Sequence, residues 1–188
     1  MVAQPAAPYG LISQIRSGLS NDELQRRAKR VRLVLSDCDG VLTDTGVYYS
    51  SEGEQLKRFS IRDGMGVERL RLQGIETSFI TRENCPCLKK RAEKLRLRHV
   101  FLGIADKESY LSVILNRTGL DVDELAYIGD DINDLPIIER INETGLTGAP
   151  SDAVPQVLET VQYHAAAPGG HGAFRDFAEW ILNLREMF

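Results

Sequence analysis

Val31-Arg32-Leu33-Val34-Leu35-Ser36-Asp37-Cys38-Asp39-Gly40-Val41-Leu42-Thr43-Asp44 is the stretch on which the reading of this chain turns. The apolar, β-branched run before Asp37 predicts a buried strand, and Gly40 offers the chain a place to turn. Asp37 and Asp39 at the end of such a strand are not packing residues. An ionised carboxylate near a core costs several kcal/mol unless it is paired or bound to a metal. Oxygen ligands on a compact turn suit Mg²⁺, and a carboxylate can also serve as a nucleophile that forms an aspartyl-phosphate. Asp37 is therefore the candidate nucleophile, beside a candidate Mg²⁺ site.

A second stretch repeats this logic. Leu125-Ala126-Tyr127-Ile128-Gly129-Asp130-Asp131-Ile132-Asn133-Asp134 is again an apolar run, a glycine and then carboxylates. Asp130 can share the metal with Asp37 and Asp39, while the following residues can cap the next helix. Between the two acidic stretches the chain alternates. A hairpin is expected at 47–59, with a four-residue connection at 51–54. Helical periodicity begins at Gly64 and stops at Gly74, and strands are expected at 76–81 and 99–103. A basic helix fills 86–97, and a further helix runs from Lys107 to Leu120. Helices are also expected at 133–141 and 173–185, whereas 145–150 reads as a connecting segment.

Strands alternating with helices mean βαβ units and a doubly wound, Rossmann-like α/β fold with a mostly parallel sheet. Ligands bind such sheets outside the carboxyl ends of the strands. Asp37, Asp39, Thr81, Asp130 and Asp131 all fall at that edge. Lys107 at the start of a helix would be electrostatically unfavourable unless it faced an anion, which points it toward a phosphate and the nucleophile.

Composition narrows the class. The 188 residues suit one domain, and a net charge of −4 argues against a nucleic-acid partner. No apolar stretch approaches the ~20 residues of a membrane span, and residues 1–10 lack the pattern of a secretory signal. A cytoplasmic protein with no membrane partner is expected. Of the three cysteines, Cys85-Pro86-Cys87 has the wrong spacing for a redox or zinc motif, so reduced thiols are expected. Residues 1–29 divide into a loosely ordered lead-in over 1–19 and a basic helix opened by the capping box Ser20-Asn21-Asp22-Glu23. Residues 30–188 then form the catalytic domain.

The ordered set of Asp37-x-Asp39-Gly40-Val41-Leu42-Thr43-Asp44, Thr81, Lys107 and Gly129-Asp130-Asp131-x-x-Asp134 resembles the haloacid dehalogenase superfamily of phosphohydrolases. Within it the chain looks like the 3-deoxy-D-manno-octulosonate 8-phosphate (KDO 8-phosphate) phosphatases, which lack a cap domain. That likeness rests on Thr43-Asp44, the hairpin, Arg62-Asp63-Gly64-Met65-Gly66 and Gly169-Gly170-His171-Gly172-Ala173-Phe174-Arg175. The resemblance implies Asp37 as nucleophile, Asp39 as general acid and base, and Thr81 and Lys107 on the phosphoryl oxygens. Mg²⁺ would be held by Asp37, the Asp39 carbonyl and Asp130, with Asp131 and Asp134 supporting them. The substrate would be a phosphorylated sugar acid, contacted by Arg62, Arg82 and Arg175. Nine-carbon 9-phosphates, as in sialic acid metabolism, are the alternative substrates, and a non-catalytic homologue is the alternative of another class. One departure stands out: the family usually has Gly-Arg after the strand-terminal Thr, where this chain has Arg82-Glu83-Asn84. The resemblance also implies a homotetramer joined through the hairpins, and a lid formed by 168–175.

Overall fold

The structure, a computed structural model, describes residues 14–15 and 18–186. The expected lead-in at 1–19 lies mostly outside these residues. Within it, Gln14–Ile15 forms a short strand, β1. Helix α1 (Asn21–Arg30) follows, with the Ser20 hydroxyl accepting from the Glu23 amide at 3.2 Å. Glu23 does not close the box, because its carboxylate turns to Arg26 and Arg27.

The remaining strands are β2 (Leu33–Ser36), β3 (Val47–Ser50), β4 (Gly53–Lys57), β5 (Glu76–Thr81), β6 (Val100–Leu102), β7 (Leu125–Ile128), β8 (Leu146–Ala149) and β9 (Tyr163–His164). The helices are α2 (Ile61–Leu72), α3 (Pro86–Leu95), α4 (Leu111–Thr118), α5 (Leu135–Asn142), α6 (Pro155–Thr160) and α7 (Ala173–Glu186). One seven-stranded sheet has the order β1-β9-β8-β7-β2-β5-β6, parallel except where β1 meets β9. The chain builds outward from β2 through β5 to β6, then returns to the other side of β2 with β7. The β3–β4 hairpin is a separate two-stranded sheet, and no inserted cap domain is present among the described residues.

Alternation along the central strands divides the core into two. Val34, Phe79, Ala126 and Ile128 face α1, α2, α3 and α7, whereas Leu33, Leu35, Leu125 and Tyr127 face α4, α5 and α6. Trp180, Ile181 and Leu184 of α7 are buried in the first layer. Arg27 joins the helical layer to the sheet: its guanidinium donates to the carbonyls of Asn142, Glu143 and Gly145 at 2.7–3.0 Å, closing the open end of α5.

Several expectations change. The hairpin turns through Ser51 and Glu52 alone, with Ser50 opposite Gly53, because an irregularity at Tyr48/Tyr49 absorbs the extra residue. Helix α2 begins at Ile61 rather than Gly64, since the Ser60 hydroxyl caps the amides of Arg62 and Asp63. Helix α4 begins at Leu111 rather than Lys107. Asp106 accepts from the Ser109 amide and hydroxyl and holds the intervening residues as a turn. Strands β8 and β9 and helix α6 were not expected at all. Cys85 and Cys87, expected as reduced thiols, are joined as a disulfide, with Cα atoms 5.4 Å apart.

Asp63 ties α2 to the start of α7. Its Oδ1 accepts from the Arg175 amide at 3.0 Å, while its Oδ2 is buried without a partner. Burial pushes this carboxyl up to about 6, against the amide bonds from Arg175 and Gly172 that hold it down. A raised acid binds its proton more tightly when folded, so its stabilising contribution is complete below its unfolded value and is lost as pH rises to about 6. The unfolding free energy read from urea titrations should therefore fall across that window. Asp63→Asn should flatten that part of the profile; an unchanged slope would contradict the assignment.

Candidate active site

The point where the strand order reverses lies between β2 and β7, and both acidic stretches leave the sheet there. Asp37 directly follows β2, and its amide donates to the Ile128 carbonyl at 3.0 Å, which fastens the first turn to the end of β7. Asp37 Oδ1 accepts from the Cys38 amide at 2.7 Å, and Oδ2 pairs with Lys107 Nζ at 2.9 Å. The nucleophile candidate is thus held at both oxygens.

Lys107 is 2% exposed and also reaches Asp134 Oδ1 at 2.5 Å. Asp134 is a hub. Its Oδ1 accepts from the Tyr127 hydroxyl at 2.6 Å, and its Oδ2 accepts from the amides of Asp130 and Asp131 at 2.9 and 3.3 Å. Tyr127 therefore belongs to the site, although its position inside an apolar run reads as core. The available signal was its hydroxyl: a tyrosine inside a fully buried strand needs a polar partner.

Carboxylate oxygens of Asp37, Asp130 and Asp134 lie within 4.8 Å of one another. Three carboxylates thus face one ammonium, so the site carries an excess of negative charge. Burial, reinforced by Asp134, raises Asp37 to about 7 despite Lys107. Burial together with Asp37, Asp134 and Asp131 raises Asp130 to about 8. Asp130 Oδ1 is buried without a hydrogen-bond partner. Oxygen-only donors, surplus charge and an orphaned carboxylate oxygen all fit a hard divalent cation. Gly40 permits this closeness: with φ +86°, it presents bare backbone to Asp130, and a Cβ there would fall 1.8 Å from Asp130 Oδ2.

The Asp39 carboxylate turns away from this triad. Its Oδ1 meets Lys57 Nζ at 2.7 Å and the Thr43 hydroxyl at 3.2 Å. Lys57 comes from the hairpin and was not singled out in the sequence, where it reads as one more strand cation. Thr81 is buried at the end of β5, with its Oγ1 accepting from the Glu83 amide. Arg62 and Arg82 lie on exposed positions around this edge. Asp131 points its carboxylate at the Ile132 amide and caps the short 3₁₀ turn Ile132–Asp134. Arg175 is held by Glu179 at 2.8 Å rather than by the acidic cluster. Residues 168–172 lie along the turn after β2 of the same chain: the Gly170 amide donates to the Val41 carbonyl, and Arg58 bridges Asp44, the Gly170 carbonyl and His171.

A parallel sheet with an Asp-x-Asp turn after one central strand, an acidic turn after its neighbour and a buried lysine between them defines a hydrolase of the haloacid dehalogenase superfamily. No family model matches the chain. It is 35% identical over 161 residues to the 3-deoxy-D-manno-octulosonate 8-phosphate phosphatase KdsC of Yersinia pestis, covering 86% of this chain and 84% of that one. Among solved structures, it is similar to the magnesium-, phosphate- and KDO-bound phosphatase of Moraxella catarrhalis (32% identity, TM-score 0.80, covering 87% of this chain and 92% of that one). It is also similar to the cobalt-bound Haemophilus influenzae enzyme (33% identity, TM-score 0.79, covering 85% and 91%). The chain belongs to the 3-deoxy-D-manno-octulosonate 8-phosphate phosphatase family.

Two carboxyls raised by burial must lose their protons before a cation can bind. Divalent-metal affinity should therefore rise from about pH 6 to about pH 8 and level above it, read by direct Mg²⁺ or Mn²⁺ titration. Gly40→Ala should weaken that affinity by about tenfold or more through displacement of Asp130, with the circular dichroism spectrum retained. Unaltered affinity would separate Gly40 from the metal site.

Proposed function

We propose that this chain is a Mg²⁺-dependent phosphomonoesterase that releases phosphate from 3-deoxy-D-manno-octulosonate 8-phosphate. The observation that carries this reading is the buried Asp37 carboxylate, gripped by Lys107 and facing Asp130 at the carboxyl edge, in a chain of that family.

Asp37 is the nucleophile: one carboxylate oxygen bonds to phosphorus as the sugar oxygen leaves, giving an aspartyl-phosphate. Lys107 orients Asp37 and offsets phosphoryl charge, and the Thr81 hydroxyl contacts a phosphoryl oxygen. Asp39 gives its proton to the departing alkoxide and then takes one from the attacking water. Asp37, the Asp39 carbonyl and Asp130 would hold the Mg²⁺, which when bound would neutralise charge on the transferring group. Asp134, supported by Tyr127, sets the position of Lys107, and Asp131 shapes the adjoining turn.

Arg62, Arg82 and Arg175 are the candidate contacts for the sugar acid. The Arg175 guanidinium would have to exchange its pairing with Glu179 to take part, and the segment 168–175 would then act as a lid. Tyr48, Tyr49 and Leu56 stand 62–72% exposed on the hairpin, an apolar surface that supports assembly into a homotetramer around that element. No helix of the described residues is long and apolar enough to cross a membrane, which is compatible with a cytoplasmic location.

Asp37→Asn should leave no detectable turnover with the circular dichroism spectrum of the folded chain retained. Asp39→Asn should lose ~10²–10⁴-fold in kcat. EDTA should abolish activity and Mg²⁺ restore it. In a panel of phosphate esters ranked by kcat/KM, the eight-carbon sugar acid should exceed nine-carbon sugar acids and p-nitrophenyl phosphate; a different order would overturn the substrate assignment. Light scattering reads the assembly, where a concentration-independent monomer would refute the tetramer.

A further inference from the structure

One side-chain cluster lies beside the catalytic edge and uses groups that the reaction above does not need. Glu54 of β4 brings a carboxylate oxygen within 4.8 Å of the sulfurs of Cys85 and Cys87. Cys85 is the N-cap of α3 and Pro86 its first residue, so both sulfurs sit at the positive end of that helix. Both cysteines are half-buried, unlike Cys38, which is sealed in the core. Small reagents can therefore reach the pair.

We propose that Cys85 and Cys87 form a reversible dithiol–disulfide pair, a redox modification site whose state is passed to Asp39 through Glu54 and Lys57. Oxidation proceeds by exchange with a small-molecule disulfide. One cysteine thiolate attacks a sulfur of that disulfide, forms a mixed disulfide and expels one thiol. The second cysteine loses its proton, attacks the mixed disulfide and expels the other thiol. Two protein S–H bonds become one S–S bond, and the external disulfide is reduced to two thiols. Excess thiol reverses the sequence.

The path to Asp39 is short. Glu54 Oε1 is buried without a hydrogen-bond partner, and Lys57 Nζ stands 3.7 Å from it. The same ammonium holds Asp39 at 2.7 Å. Opening the disulfide turns a covalent bond into a contact between two full-sized sulfurs, and Glu54 borders that space. Helix α3 itself is pinned to the hairpin's exit, because Arg91 donates to the Ser60 carbonyl at 2.8 Å and lies 5.3 Å over the Phe59 ring. The displacement therefore falls on Glu54, and Lys57 follows it away from or toward Asp39.

The test equilibrates the full chain in dithiothreitol mixtures of graded poise, traps free thiols with iodoacetamide and weighs the 85–87 peptide. A single two-electron transition between the unalkylated and doubly alkylated peptide is expected, with Cys38 unreactive in the folded protein. Phosphate release by the same samples should change severalfold with the same midpoint. Cys85→Ser and Cys87→Ser should abolish the transition and fix activity at its reduced value. Glu54→Gln should keep the thiol transition and lose the response of activity. Full alkylation at every poise would overturn the site, and a thiol transition with flat activity would overturn its link to Asp39. Only the activity arm rests on the phosphatase reading: if no phosphate ester is hydrolysed, that reading fails while the thiol titration still decides the site.

Discussion

Everything at the carboxyl edge depends on one ammonium group taken out of water. Lys107 Nζ lies between Asp37 and Asp134, all three essentially buried. Removing a single partner from such a cluster strands a charge, which typically costs about 3–5 kcal/mol. The surroundings are arranged to prevent this. Tyr127 and two backbone amides occupy the remaining capacity of Asp134, and the Cys38 amide occupies that of Asp37. Asp130 Oδ1 is left without a partner, as is Asp39 Oδ2 beside the cluster, and Asp130 is the carboxylate that a cation would complete. A buried ion-pair cluster and surplus negative charge are thus built from the same four side chains.

The sheet makes that cluster possible by its order rather than its size. With β2 flanked by β5 and β7, the turns that carry Asp37, Thr81 and Asp130 leave from three adjacent strands in register. Separate helical layers cover the two faces, so neither the acids nor Lys107 must pass through a core to reach one another. The hairpin adds a further line of control, because its Lys57 reaches Asp39 from outside the sheet.

The central strands and their acids were legible because long apolar runs ending in Gly and Asp have few other readings. The far half of the sheet was not. Leu146-Thr147-Gly148-Ala149 is too short and too small-sided to show a period, and β9 has only two residues; both are strands because neighbours pair with them. The sequence points Lys107 at Asp37, where the structure has it, but places it on a helix, since local pattern cannot reveal that Asp106 holds a turn. Tyr127 and Lys57 were missed for a related reason. Each is ordinary in its own segment and becomes part of the site only through contacts distant in sequence. The disulfide was missed because spacing arguments address the familiar two-residue separation, whereas the helix start at Pro86 brings the two cysteines together.

The glycine-rich stretch before α7 has a consequence for timing. Gly169 lies so close to the turn after β2 that a Cβ there would fall 1.9 Å from the Gly40 carbonyl oxygen, and Gly170 bonds to Val41. The turn that carries Asp37 takes this support from a segment far along the chain, just ahead of α7. At typical synthesis rates of about 5–20 residues per second, several seconds or more separate the two segments. Completion of the catalytic edge therefore waits on the segment before α7. A chain that stalls before Gly169 lacks this brace on the turn that carries Asp37.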